Sequence, residues 1–347
     1  MTDQSTPTGF EFRGRAGEWF GIWIVNLLLS IVTFGIYSAW AKVRAKKYFY
    51  QNTYLDGRSF DYHATGWQIL KGRLIVIAAL IVFQILMTAI PPLGLLLLLA
   101  FIPVFPWLMI RALMFNARQS SFSNVRFDFQ GTYWEAVKAY LLYPLLGLVT
   151  FYLAMPLADR AGRRFVIGNH RLGQAGFSVD IGIAPFYKAA GFAVLWVIAG
   201  AVVAVMVFNG SAIPLDPQPG DAAVLKLVAF GYLAAFIIFL PAVIVYAAFV
   251  HLALYNAVEI DGGHKLHSTI NPWVYTWIVL SNLCVSVITL GLMLPWAQVR
   301  LVQYITDHTS ATINGSLDGF VAGQIQSGSA LGDAYADIEG FDIGVPL

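Results

Sequence analysis

Residues 26–44 read NLLLSIVTFGIYSAWAKVR and residues 282–300 read NLCVSVITLGLMLPWAQVR. Nine of the nineteen positions are identical without a gap, among them Asn26/Asn282, Thr33/Thr289, Gly35/Gly291, Trp40/Trp296 and Arg44/Arg300, where unrelated segments would share about one. Each copy is an apolar run that breaks at Thr-x-Gly and ends in Trp-Ala-x-Val-Arg. Aromatic and basic side chains in that order are the anchors of a membrane surface, so Trp40, Arg44, Trp296 and Arg300 are read as interfacial anchors. A weaker third copy lies at 143–171, with Thr150-Phe151 in place of Thr33-Phe34, Tyr152 for Gly35 and Leu157 for Trp40.

The rest of the chain fits this reading. Hydrophobic residues make up 58% and charged residues 12% of 347, with mean hydropathy +0.69; soluble domains carry about a quarter charged residues. Two uncharged stretches lie between the copies, Leu74–Ile110 interrupted by Pro91-Pro92, and Ala189–Phe208 with Leu227–Leu254. Each divides into two runs near the roughly 20 residues that cross a bilayer. The expected fold class is an all-α polytopic membrane protein with internal repeats and a small cytoplasmic β-hairpin after each repeat. The hairpins are placed at Tyr54–Phe60, Arg171–Phe177 and Thr312–Leu317, where Asp56-Gly57 and Asn314-Gly315 supply turn chemistry.

The expected organisation is a cytoplasmic segment 1–17, a re-entrant or interfacial unit with its hairpin at 18–66, a transmembrane pair at 67–117, a second unit at 118–185, a second pair at 186–257, a third unit at 258–322 and a mobile acidic tail at 323–347. Charge favours four spans with re-entrant units over seven alternating spans. Of 21 Lys and Arg, only Lys226 then falls on the outer side, and such residues concentrate on the cytoplasmic side. The first apolar run is read as retained structure, since a cleavable signal has no reason to recur near the C-terminus. The single cysteine, Cys284, leaves no intrachain disulfide and reads as a small packing residue.

Polar groups within apolar helices mark the candidate site. Asn26 and Thr33, with Asn282 and Thr289 in the other copy, share one helix face and line a path or bind helices together. Arg111 and His251 occupy matching positions, each five residues before an Asn-Ala pair, Asn116 and Asn256. Either could hold a phosphate or carboxylate, or reach to the interface. These eight residues are the candidate substrate-binding set. His264 and His267 lack the companions of a metal site, and no metal or cofactor is expected. No phosphate loop, nucleophile motif or paired catalytic carboxylates occur, so the expectation is a protein that is not an enzyme and does not bind nucleic acid.

Gly-Arg-Ala-Gly-Glu-Trp-Phe from Gly14, Thr-Phe-Gly-Ile-Tyr, Ala-Trp-Ala-Lys-Val-Arg and Asn-Thr-Tyr-Leu-Asp-Gly together resemble the YjgN-like family of bacterial inner-membrane proteins. The resemblance continues, less sharply, to about Gly323. It implies a multi-pass protein of the bacterial inner membrane and carries over no catalytic or ligand residue. The leading expectation of function is binding or transport of a small solute or lipid at the cytoplasmic side. The alternative is a structural protein that docks a protein partner through its cytoplasmic hairpins.

Overall fold

The computed structural model describes residues 7–211 and 222–328. It overturns the all-α expectation: ten short strands close into one antiparallel β-barrel, and the helices grow from it in pairs. Strand β1 (Pro7–Phe12) precedes helices α1 (Ala16–Val32) and α2 (Ser38–Gln51), which return to β2 (Thr53–Leu55). β3 (Arg58–Tyr62) leads through α3 (Gly66–Ala89) and α4 (Pro91–Arg118) to β4 (Ser120–Phe122). β5 (Val125–Phe129) leads through α5 (Tyr133–Val137), a π-helical turn at Lys138–Leu142, α6 (Tyr143–Val149) and α7 (Met155–Gly168) to β6 (His170–Leu172). β7 (Ala175–Val179), α8 (Ala184–Asn209), α9 (Ala222–Tyr255) and β8 (Val258–Ile260) repeat the long version. β9 (His264–Ser268), α10 (Pro272–Ile288), α11 (Leu294–Asp307) and β10 (Thr309–Thr312) repeat the short one, and α12 (Leu317–Gly328) follows.

The two strands that flank each helical pair are hydrogen-bonded to one another, in matching register: Phe10 opposes Leu55, Phe60 opposes Phe122, Phe127 opposes Leu172, Phe177 opposes Ile260 and Leu266 opposes Ala311. Neighbouring pairs are joined by tight turns, and β1 closes the ring on β10 with Pro7 opposite Thr312. Because the ring is antiparallel throughout, every helical pair leaves from and returns to one rim, and every tight turn lies at the other. Seven alternating spans would place successive units on opposite sides of the membrane, which a single closed ring forbids.

The hairpin expectation is corrected with the fold class. Hairpins form at β2–β3 and β6–β7. Two more form at β4–β5 and β8–β9. At Thr312–Leu317, by contrast, Asn314-Gly315 turns the chain into α12 instead. The β4–β5 turn uses Ser123 and Asn124, both at positive φ, with no glycine to announce it.

Four helices, α3, α4, α8 and α9, run 24 to 34 residues and are long and apolar enough to cross a bilayer. The other pairs are shorter and share one plan, 17 residues, a five-residue break and 14 residues. In the first, the Gly35 N–H donates to the Ser30 carbonyl at 2.7 Å and the Phe34 N–H to Ile31 at 3.1 Å. That is a Schellman closure with Phe34 in the left-handed region at φ 50°. Tyr152 to Gly147 and Gly291 to Ser286, both 2.7 Å, reproduce it around Phe151 and Leu290. Thr-x-Gly therefore ends one helix and starts the next. The Thr33 hydroxyl donates to the Leu29 carbonyl and accepts from the Tyr37 N–H at 2.9 Å, as Thr150 and Thr289 do in their own pairs.

The barrel is filled from its turn-bearing rim. Phe10, Phe60, Phe127 and Phe177 stand in a row across alternate strands, ring centroids 6.3, 6.5 and 6.3 Å apart, and Leu266 packs into the same cluster. Leu317 and Val321 of α12 are buried against Leu55, Phe122, Val125 and Leu172, with Phe320 beside them. Gln324 accepts from the N–H groups of Gln174 and Ala175, and Asp318 pairs with Arg58. The segment expected as an acidic tail thus overlaps α12 at 323–328, and 329–347 lie outside the described residues. Cys284, expected to be packed, is exposed on α10.

Candidate functional site

Above the aromatic layer, where the returning helices meet the strands, the barrel holds a cavity of about 450 Å³. Phe10, Phe60, Phe127 and Leu266 form its floor and Phe49, Ile305 and Tyr255 its upper wall. No carboxylate, Lys or Arg is among the lining residues. A second cavity, about 420 Å³ between α8 and α9, is lined only by apolar residues such as Val203 and Ile237 within the spans, where lipid tails suffice to fill it.

The polar side chains of the first cavity have a structural reason to be there. A helix leaves its last carbonyls without intrahelical donors, and short polar side chains just past its end can reach back to them. Thr53 donates to Phe49 at 2.8 Å, Ser120 to Asn116 at 2.8 Å and Thr309 to Ile305 at 2.7 Å, while Thr306, inside the last turn of α11, donates to Val302 at 2.6 Å. His170 Nδ1 sits 2.6 Å from the Val166 carbonyl, so this nitrogen carries the proton and donates. Burial holds the His170 pKa below its usual value, which keeps the ring neutral. With their protons directed at helix ends, the hydroxyls offer lone pairs to the lumen. The chemistry suits a mainly apolar occupant.

The residues nominated from sequence do not converge on this cavity, with one exception. Asn116 lines it, accepting from Lys46 Nζ at 2.6 Å and donating to the Ala112 carbonyl at 3.0 Å. Its counterpart Asn256 instead locks β9 to α9, accepting from the Ser268 N–H and donating to the Ser268 carbonyl, each at 3.0 Å. Asn26 meets Arg44 at 3.4 Å, and Asn282 meets Arg300 at 3.0 Å, inside the first and third short pairs. Thr33 and Thr289 serve the helix breaks. The Arg111 guanidinium lies 5.4 Å over the Trp107 ring, and the His251 ring stacks 4.1 Å from Tyr255, one turn above the cavity. Trp40 packs against Gly66, and Trp296 carries the Arg300 guanidinium at 5.2 Å.

The lining residues missed by sequence reading, Phe10, Thr53, Phe60, Ser120, His170 and Thr309 among them, sit one or two to a strand. The available signal was polar residues immediately after apolar helices, and it becomes a ring only once the barrel closes. Among the described residues no group of three His, Cys, Asp or Glu comes together to hold a metal ion.

A family model described as "Bacterial protein of unknown function (DUF898)" matches residues 7–338. The chain is 26% identical to "Inner membrane protein YjgN" of Salmonella typhimurium strain LT2, over 88% of each chain. It is 30% identical to the protein of that name from Escherichia coli O157:H7, over 61% of this chain and 48% of the other. No solved structure matches. With four apolar helices long enough to span, the chain is a multi-pass protein of the inner membrane.

Proposed function

Since the chain belongs to the DUF898 family, whose description assigns no activity, we propose from the geometry that it is a non-enzymatic binding protein whose barrel lies on the cytoplasmic side and holds a small apolar or amphipathic molecule drawn from the adjoining leaflet. The observation that carries this reading is the position of the 450 Å³ cavity, at the rim where all five helical pairs leave the barrel. A lumen at that level adjoins the headgroups, and its Phe, Leu and Ile lining favours hydrocarbon over water. The cytoplasmic placement rests on charge. The outer turn at Ala89–Pro91 and the outer connection 210–221 contain no Lys or Arg, whereas the helix ends at the barrel carry most of them.

Binding is favoured over passage because the aromatic layer and α12 close the lumen below the cavity. Docking of a protein through the hairpin turns has less support, since α12 already engages Gln174 and Ala175 at that rim. The test is photo-crosslinking of the purified full chain in nanodiscs with a diazirine-bearing fatty acid, the adducts mapped by peptide mass spectrometry. Adducts on lumen-facing strands, lost in Ala117→Phe at unchanged melting temperature, support the reading. Adducts confined to the spanning helices would overturn it.

A further inference from the structure

The three short helical pairs end in the most exposed large apolar side chains among the described residues, Phe34 at 97%, Phe151 at 90% and Leu290 at 93%. Each occupies the left-handed position of its helix break, φ 50°, 49° and 50°. That position normally takes glycine or asparagine, because a side chain there costs roughly 1–2 kcal/mol. A bulky apolar residue placed there three times implies a surface that rewards it, and water does not. Val32, Val149 and Ile288 beside the tips are 74%, 70% and 80% exposed.

The reach of these tips is set by the next charged or amide residue of each arm, Tyr37 and Tyr152 being passed on the way along with Ser38, whose hydroxyl accepts from the Arg73 guanidinium. Eight positions beyond Phe34 stands Lys42, eight beyond Phe151 stands Asp159, and eight beyond Leu290 stands Gln298. At the helical rise of 1.5 Å per residue each apolar tip reaches at most about 12 Å, since its first residues belong to the break and not to the helix. Half of a roughly 30 Å hydrocarbon core is about 15 Å. The tips therefore fit one leaflet and stop short of the other. Asp159 cannot go deeper without cost, being held at the polar level by the Tyr246 hydroxyl at 3.0 Å and by Arg163 at 3.2 Å.

The two leaflets then see different molecules. Among the described residues, six half-length helical segments and four spanning helices occupy the barrel-side leaflet, ten segments in all, while only the four spans occupy the far leaflet. With helices about 10 Å across, the cross-section is roughly two and a half times larger on the barrel side. We infer that the protein is a membrane wedge that senses curvature, favouring a bilayer that is convex toward the barrel. Its partner in this role is the lipid surface itself. The inference rests on the barrel lying against one face of the membrane and is independent of what occupies the lumen.

The experiment is reconstitution of the full chain into vesicles of mixed diameter, with protein density read vesicle by vesicle. A fluorophore on Ser178→Cys, an exposed barrel position, in a Cys284→Ser background reports orientation through an impermeant quencher. Barrel-outward molecules should be several-fold denser on the smallest vesicles and barrel-inward molecules depleted there. The triple variant Phe34→Asp, Phe151→Asp, Leu290→Asp should lose this sorting. Density independent of diameter, or rising equally for both orientations, would overturn the wedge. A nitroxide at Phe34→Cys provides a check that does not need the triple variant to fold. Collision with oxygen but not with an aqueous nickel complex is expected, and free access to the nickel complex would place the tip in water and overturn the inference.

Discussion

Arg300 Nη1 donates to Asn282 Oδ1 at 3.0 Å, tying the two arms of the third short pair together near its middle. Arg300 also reaches Ser281 Oγ at 2.8 Å, and Asn282 Nδ2 donates to the Ala297 carbonyl at 2.8 Å. The corresponding Arg44 and Asn26 lie 3.4 Å apart, a looser contact. Tyr143 and Ala161 stand at these positions in the second unit. Hydrogen bonds to a charged group contribute about 1.5–3 kcal/mol, more when a buried partner is left unsatisfied. Arg300→Ala should therefore lower the melting temperature in nanodiscs more than Arg44→Ala. Equal effects would show that the shorter contact adds nothing.

Gly66 is required by Trp40. A Cβ on Gly66 would fall 2.4 Å from Trp40 Cγ, in a cluster with Ala39, Tyr62 and Ile69. Leu157 and Ile183 stand at the corresponding positions of the second unit, a smaller residue facing a larger one in sequence. Gly66→Ala should destabilise by about 1–3 kcal/mol through overpacking. Trp40→Leu in the same chain should recover most of that loss. A double variant no more stable than Gly66→Ala, measured by chemical or thermal unfolding, would refute the steric account.

α12 should loosen in acid. His264 Nδ1 accepts from the Asn314 N–H at 3.0 Å at the entrance to α12, and the ring meets Phe320 edge-on at 4.6 Å. This hydrogen bond needs an unprotonated Nδ1, and burial lowers the His264 pKa below its ordinary value. The released ring titrates near 6.5, so the contribution of this contact is fully present above about pH 6.5 and is lost as pH falls through the depressed folded value. His63 and His170, lowered chiefly by burial too, add to the same trend. The hydrogen-exchange protection factors of 317–324, taken relative to intrinsic exchange at each pH, should fall between about pH 7.5 and about pH 5 in the natural chain, and much less in His264→Ala. Unchanged protection in the natural chain would show that the latch lies elsewhere.

What could be read from the sequence followed its length scales. The four spanning helices are long uncharged runs, and 20 or more residues of one character survive any local ambiguity. Inner-membrane membership came with them. The barrel was illegible because its strands are three to six residues long, too short for a period of two to stand out. Its closure joins Pro7 to Thr312, a pairing that no local pattern encodes. The lumen was hidden for the same reason. Thr53, Ser120 and Thr309 look like ordinary helix-end residues until the ring brings them together, whereas Asn26 and Asn282 stood out as polar residues in apolar runs and meet arginines within their own pairs.

The second unit carries a strain that the other two avoid. After the left-handed residue at each break, Gly35 and Gly291 adopt φ 86° and 88°, but Tyr152 stands at the same place with φ 67°. A glycine takes positive φ without steric penalty, while a tyrosine presses its Cβ against the backbone. Its N–H still donates to the Gly147 carbonyl at 2.7 Å, so the turn is complete and only the residue type is unfavourable. Tyr152→Gly should stabilise the protein by roughly 0.5–1 kcal/mol, with part of the gain offset by the freer unfolded chain. Gly291→Tyr should cost a similar amount. Unfolding measurements on the two variants in the same nanodiscs test the pair together. A destabilised Tyr152→Gly would mean that the tyrosine, 65% exposed at the tip, gains more from the lipid than the backbone loses.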